Sequence, residues 1–163
     1  MCRIIVDLIV INYPNSYLSN LYSFKQIAEF KDVFIANRSF AELKDKALSL
    51  RDLLNYPILM LDRKSTTSEF LHSLFQKHQL IQLMFLEKTE IELSSNDLLI
   101  DLAKIGLGIA FIPDYCVPKD SDDLFVVHTD EVLPTRQLVV VHNEHVPVSK
   151  ATLEFLNYFQ PIE

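Results

Sequence analysis

The sequence predicts an α/β fold centred on a doubly wound, largely parallel sheet. Three observations lead there. Between residues 57 and 112, short apolar runs that read as strands alternate with amphipathic runs that read as helices, and each such helix must carry the chain back across the sheet to a parallel strand. The connections between these runs are short, with no Gly/Ser-rich linker, low-complexity tract or internal repeat among them. The hydrophobic share, 49% of 163 residues, suffices for one packed domain or two small lobes.

In chain order, Ile4 to Ile11 is β-branched or leucine except at Asp7, the pattern of a strand buried on both faces. Asn12-Tyr13-Pro14 ends it, since Pro14 has no amide hydrogen for a ladder. Residues 15 to 30 are polar and mixed and read as loop with a short amphipathic piece, and Val33 to Ala36 as a second brief strand. Ser39, Phe40, Leu43, Ala47 and Leu48, with charges between them, predict a helix, with a further turn over Leu50 to Leu54 and a stop at Tyr56-Pro57. Pro57 to Leu61 reads as a short buried strand. Polar Asp62 to Ser65 then leads into a helix whose apolar stripe is Phe70, Leu71, Leu74 and Phe75. The pattern repeats with a strand over Glu90 to Leu93, a helix start at Ser94-Ser95-Asn96-Asp97 and a buried stripe of Leu98, Leu99, Leu102 and Ala103. Ile109 to Ile112, Leu124 to Val127 and Leu138 to Val141 follow as strands. Ser149 to Phe159 closes the chain as a helix with Leu153, Leu156 and Tyr158 or Phe159 inward.

The chain has two glycines, both in Gly106-Leu107-Gly108, where average usage of about 7% would supply several times as many. Gly106 follows a helix ending at Ile105, where a left-handed cap favours a residue without Cβ, and Gly108 opens a strand that passes close to neighbouring backbone. Phosphate-cradling motifs run strand, glycines, helix. Here the order is helix, glycines, strand, and no Walker lysine follows, which excludes nucleotide binding of those kinds.

A formal charge of −7, from 22 acidic against 15 basic residues, opposes a phosphate backbone, so this chain by itself is not expected to bind nucleic acid. Its apolar runs are far shorter than the ~20 residues of a membrane-spanning helix. With no secretion leader at the start, the expected location is the cytoplasm. Cys2 and Cys116 make no closely spaced pair, which points to a reducing compartment rather than a disulfide or metal site. Of His72, His78, His128, His142 and His145, none share the helix-face spacing of a zinc site, and no Gly-x-Ser-x-Gly turn offers a nucleophile. No catalytic set, metal or cofactor is expected.

The segment Leu93 to Pro113, LSSNDLLIDLAKIGLGIAFIP, resembles the signature of the effector-binding domain of LysR-type transcription regulators. Val6 to Ile11, Pro57 to Leu61 with Ser65-Thr66-Thr67, Pro134-Thr135-Arg136 before an apolar strand, and Pro147-Val148-Ser149 before the last helix resemble other parts of it in the same order. The resemblance implies a type II periplasmic-binding-protein-like fold: two doubly wound α/β lobes, joined by two crossing strands, with an effector in the cleft between them. On that scheme residues 1–36 with 130–163 form the first lobe and 37–129 the second. The family's winged helix-turn-helix and the opening strands and helices of the first lobe have no counterpart here, and residues 80–89 are longer than the usual connection. The first lobe is therefore expected to be incomplete, DNA to be reached only through the missing N-terminal domain, and the Ile4 to Ile11 strand to carry an unpaired edge that favours a dimer or higher assembly.

Ser65, Thr66 and Thr67 stand between a strand end and a helix start, where hydroxyls and free N–H groups suit an anion, and Ser94, Ser95 and Asn96 repeat the arrangement one unit later. Ser65 and Ser94 equally read as simple caps, the latter with Asp97 closing a capping box, and one residue can do both. Asn12 and Tyr13, after the first strand, read either as contacts across the same crevice or as a turn before Pro14, and Arg63 and Lys64 as anion attractors or solvated charges. The function implied is sensing of a small anionic metabolite. The rivals are a transporter's solute-binding protein of the same fold, which needs a secretion leader, and a truncated fragment that self-associates without ligand.

Overall fold

A computed structural model describes residues 7–15, 18, 22–87, 89–119, 122–143 and 145–159. The chain divides into two compact units, residues 1–30 with 135–163 and residues 31–134.

The larger unit is built on strands β3 (Asp32–Asn37), β4 (Ala47–Leu48), β5 (Ile58–Leu61), β6 (Glu90–Leu93), β7 (Ile109–Pro113) and β8 (Leu124–Thr129), in the order β4-β8-β3-β7-β5-β6. β7, β5 and β6 run parallel, and β3 lies antiparallel between β8 and β7. The pleat sends alternate residues to opposite faces. Ile58, Met60, Ile109 and Phe111 meet Leu71, Leu74 and Phe75 of helix α2 (Thr66–Lys77), while Leu59, Ala110 and Ile112 meet Leu99, Ile100 and Ala103 of helix α4 (Asn96–Lys104). Because both faces are covered, β5 and β7 read as unbroken apolar runs. On the first face the Phe34 and Phe111 rings meet tilted, with centroids 4.6 Å apart. Residues 31–36 and 130–134 group with this unit, since β3 hydrogen-bonds on both sides within its sheet.

Two helical expectations change. Residues 38–48 form a 3-10 turn (Arg38–Leu43) and then β4, with a four-residue helix α1 (Leu50–Leu53) after it. Asn37 accepts from Ser39 N and donates to Lys104 O at 2.6 Å, which pins the turn to the end of α4, while β4 pairs with β8. The stripe of α4 is shifted, with Leu98 39% exposed and Ile100 buried. The cap is Ser95, one residue later than Ser94, and it accepts from Leu98 N, so no box from Ser94 to Asp97 sets the register. The long 80–89 connection is largely helix α3 (Ile81–Glu87), which buries Met84.

The glycines meet their expectation. Gly106 has φ +78° and closes α4 with bonds from Gly106 N to Ala103 O and from Leu107 N to Leu102 O, the paired bonds of a left-handed cap. A Cβ on Gly108 would stand 2.6 Å from Pro57 O, so β7 starts where β5's backbone leaves no room for a side chain.

The smaller unit is an antiparallel sheet in the order β1-β9-β2, from β1 (Ile9–Tyr13), β2 (Tyr22–Phe30) and β9 (Arg136–Asn143), with helix α5 (Lys150–Tyr158). Residues 22–30, expected as loop, are a nine-residue strand; a bulge between Gln26 and Ala28 breaks the alternation that would have shown it. β1 was expected to be buried on both faces, yet it is an edge strand with Ile9 41% and Val10 45% exposed, while central Val139, Val140 and Val141 are buried. Ile4 to Val6 lie outside the described residues. α5 meets its expectation only in part: Leu156 and Phe159 are half-buried, whereas Leu153 and Tyr158 are exposed and Thr152 is its buried residue. Polar anchors hold that helix, with Thr152 Oγ1 donating to Asp7 Oδ2 at 2.9 Å and Lys25 Nζ to Leu156 O at 3.2 Å.

Candidate functional site

β5 and β6 run side by side in register, Ile58 opposite Glu90 and Leu61 opposite Leu93, so they end at the same sheet edge. Asp62 N donates to Leu93 O at 3.0 Å and ties the two exits together. From there the chain parts: α2 packs on one face of the sheet and α4 on the other. Adjacent strand ends whose helices leave on opposite faces open a crevice, the usual place for a ligand in an α/β sheet. The helix starts at Ser65 and Ser95 therefore stand together at one edge.

At the first start Ser65 accepts from Thr67 N at 3.2 Å, and Glu69 N returns to Ser65 O, which leaves the Thr66 and Ser68 N–H groups as the first-turn donors. Ser65 and Thr66 are half-buried, whereas Thr67 and Ser68 are buried, and Ser68 Oγ donates back to Leu61 O at 2.5 Å. At the second start Ser95 receives Leu98 N at 3.3 Å, and Asn96 N and Asp97 N are the corresponding donors. Ser94 is exposed and plays no capping part.

Asn96 contributes what sequence reasoning did not foresee. Its Nδ2 reaches Cys116 Sγ at 3.5 Å, while its Oδ1 is shielded from solvent without a hydrogen-bond partner among the described residues. Burial pushes the Cys116 thiol up from its ordinary pKa, helped by the negative charges of Asp97, Asp114 and Asp32 and opposed by the Asn96 amide.

Of the two cations in the first turn, Arg63 is committed elsewhere. It holds Glu92 at 2.9 Å and Glu90 at 3.5 Å and lies 5.1 Å from the Phe85 ring centre. The hydrogen bond to Glu92 leads the causes that raise its pKa. Glu90 also meets His72 Nε2 at 2.9 Å, so this pair of carboxylates braces α2 against β6. Lys64 is exposed beside Ser65 and its side chain meets no partner among the described residues, which leaves it as the turn's available positive charge.

The same edge carries a feature with no sequence signature. β3 starts where β7 ends, Asp32 opposite Pro113, and an open cavity of about 170 Å³ lies there against Lys31, Asp32, His128 and Thr129. Asp32 is 1% exposed. Asn12 and Tyr13 belong to the other unit. They were expected in the turn after β1 but are its last two residues, paired with Leu138 and Gln137, and the Tyr13 ring stacks on Phe24 at 4.8 Å. Among the described residues no group of three or more His, Cys, Asp and Glu is placed to hold a metal ion, and no helix is long and apolar enough to cross a membrane.

A crevice at the ends of parallel strands is where α/β folds commonly take a ligand. The LysR substrate binding domain model matches residues 5–161, and the chain belongs to that family. It is 25% identical over 154 residues to the HTH-type transcriptional activator CmpR of Synechocystis sp., covering 93% of this chain and 48% of that protein, so it spans about half of that relative's length. The regulatory domain of CcmR from Synechocystis PCC6803, in complex with 2-PG, superposes with a TM-score of 0.78 at 20% identity, covering 94% of this chain and 71% of that one. The effector-binding domain of QuiR in complex with shikimate gives 0.74 at 15% identity, with 93% and 69% covered. The expected type II periplasmic-binding-protein-like fold is thereby borne out.

Proposed function

We propose that this LysR-type effector-binding domain takes a small anionic metabolite at the crevice between the β5–α2 and β6–α4 turns. The observation that supports this most is the in-register ending of β5 and β6 with α2 and α4 leaving on opposite faces, which collects hydroxyls and first-turn N–H groups at one edge. Ser65, Thr66, Thr67, Ser94, Ser95 and Asn96 are the proposed contacts, with Lys64 as the nearby charge. Asn12 and Tyr13 enter only through the family resemblance. Two similar folds carry small ligands, 2-PG in one and the carboxylate shikimate in the other, which agrees with an anionic effector.

In this reading the chain is not an enzyme, acts in the cytoplasm, self-associates as a dimer or higher, and reaches DNA only through a separate DNA-binding domain. Effector control then works by differential affinity for two arrangements of the regulator. Isothermal titration of the chain with a panel of small carboxylates and phosphates tests the site. Ser94→Ala and Thr66→Ala leave both helix caps intact, and each should weaken binding of any ligand the panel yields about tenfold or more, the worth of one hydrogen bond to a charged group. A ligand bound by both variants as tightly as by the wild type would place the site elsewhere.

A further inference from the structure

A second cavity in the larger unit shares no residue with the strand-end turns. It measures about 370 Å³, within the range of small-molecule sites, and is lined by Ser49, Leu50, Arg51, His78, Leu80, Asp130 and Glu131. Three segments frame it: the start of α1, where Ser49 caps and binds Asp52; the end of α2, where His78 is the last cap; and the chain after β8. Asp130 N donates to Leu48 O at 3.0 Å and Thr129 Oγ1 to Glu131 O at 2.7 Å, so the backbone carrying both acids is fixed.

Two of the charges around this cavity have not closed onto a partner. Elsewhere on the unit Arg38 closes on Asp123 at 2.8 Å and Arg63 on Glu92 at 2.9 Å. Here Arg51 and Asp130 line the same space, and among the described residues neither side chain forms an ion pair or hydrogen bond. Glu131 Oε1 is met only at longer range, by His78 Nε2 at 3.4 Å and Lys77 Nζ at 3.6 Å. His78 Nε2 is shielded from solvent and has no hydrogen bond among the described residues. Leu50, 4% exposed, and Leu80 supply an apolar wall.

We propose that this cavity binds a small zwitterion, an α-amino acid with a short apolar side chain. Arg51 offers a planar fork to its carboxylate, Asp130 and Glu131 take its ammonium, and Leu50 and Leu80 receive the side chain. A simple anion would meet two carboxylates and a simple amine would meet Arg51 and Lys77, so a ligand bearing both charges satisfies the arrangement where one charge does not.

Calorimetric titration of the whole chain with L-valine, N-acetyl-L-valine and L-valinamide tests this. L-valine should bind at millimolar concentration or below. Each capped analogue, lacking one charge, should bind at least about tenfold more weakly, as should L-valine to Arg51→Gln or Asp130→Asn, each removing one charge-assisted contact. Both variants change exposed side chains, and circular dichroism checks that they fold. Ser94→Ala should leave L-valine affinity as it is, so failure of the anion site and failure of this one are told apart. No binding of L-valine, equal binding of the three compounds, or unchanged affinity in Arg51→Gln and Asp130→Asn would each overturn the proposal.

Discussion

Gly108→Ala probes the closest backbone approach in the larger sheet. The new methyl would sit 2.6 Å from Pro57 O and 3.1 Å from both Cγ and Cδ2 of Leu59. Leu59 can shift its side chain only into a packed face, because it is fully buried among Leu99, Ala103 and Ala110. Pro57 O is backbone and accepts Ile109 N at 2.8 Å, the bond that opens the β5–β7 ladder, so its retreat by a few tenths of an ångström lengthens that bond as well. Overpacking of this kind costs about 1–3 kcal/mol, and a weakened buried hydrogen bond adds about 1 kcal/mol. A central value of about 3 kcal/mol corresponds to a fall in melting temperature of roughly 6–12 °C for a chain of this size. Differential scanning calorimetry reads the shift. Gly106→Ala is the companion variant: its φ of +78° adds backbone strain, but the atom nearest the new methyl, Ser39 Oγ at 2.6 Å, is a hydroxyl that Ser39→Ala removes. Ser39→Ala should therefore recover part of the Gly106→Ala loss and none of the Gly108→Ala loss. A Gly108→Ala protein melting within about 2 °C of wild type, less than 1 kcal/mol on the same scale, would refute the close approach of β7 to Pro57.

Three further outcomes follow from the geometry. Glu90→Ala strips His72 and Arg63 of a shared carboxylate that is 10% exposed and should cost about 1–3 kcal/mol in urea unfolding, with Glu90→Gln losing less; equal losses would show that packing rather than the acceptor matters. Because burial pushes the Cys116 thiol up, iodoacetamide should alkylate it more slowly at pH 8 than it does a free cysteine. This group's contribution to stability is intact below the ordinary cysteine pKa and is lost as pH rises through and above it, because the unfolded thiol then ionises first. Faster alkylation than free cysteine would contradict the burial. Val10→Lys places a charge on the exposed edge strand β1, and light scattering should show a smaller assembly than wild type, whereas an unchanged mass would put the self-association surface elsewhere.

Much of the larger unit could be read from residue order because its strands obey a local rule. Ile58 to Leu61 and Ile109 to Ile112 are apolar on both faces, α2 carries its stripe at helical spacing, and a glycine with no Cβ stands at each of the two places where backbone or handedness excludes one. The expectations that this chain by itself does not take up a nucleic-acid backbone or cradle a nucleotide likewise rest on a −7 charge and a helix-glycine-strand order, which are properties of the chain before it folds. Other features depended on partners distant in sequence. β2 became a strand because β9, more than a hundred residues away, supplies its ladder, and a bulge hid its alternation. The segment after β3 became a 3-10 turn and a short strand because Asn37 finds Lys104 O and Ala47 finds His128. Whether Arg63 is available to an anion, and that Arg51, His78 and Asp130 line one cavity, are matters of a few ångströms between segments far apart in sequence. Local propensity carries no information at that range, so packing of the whole unit decided them.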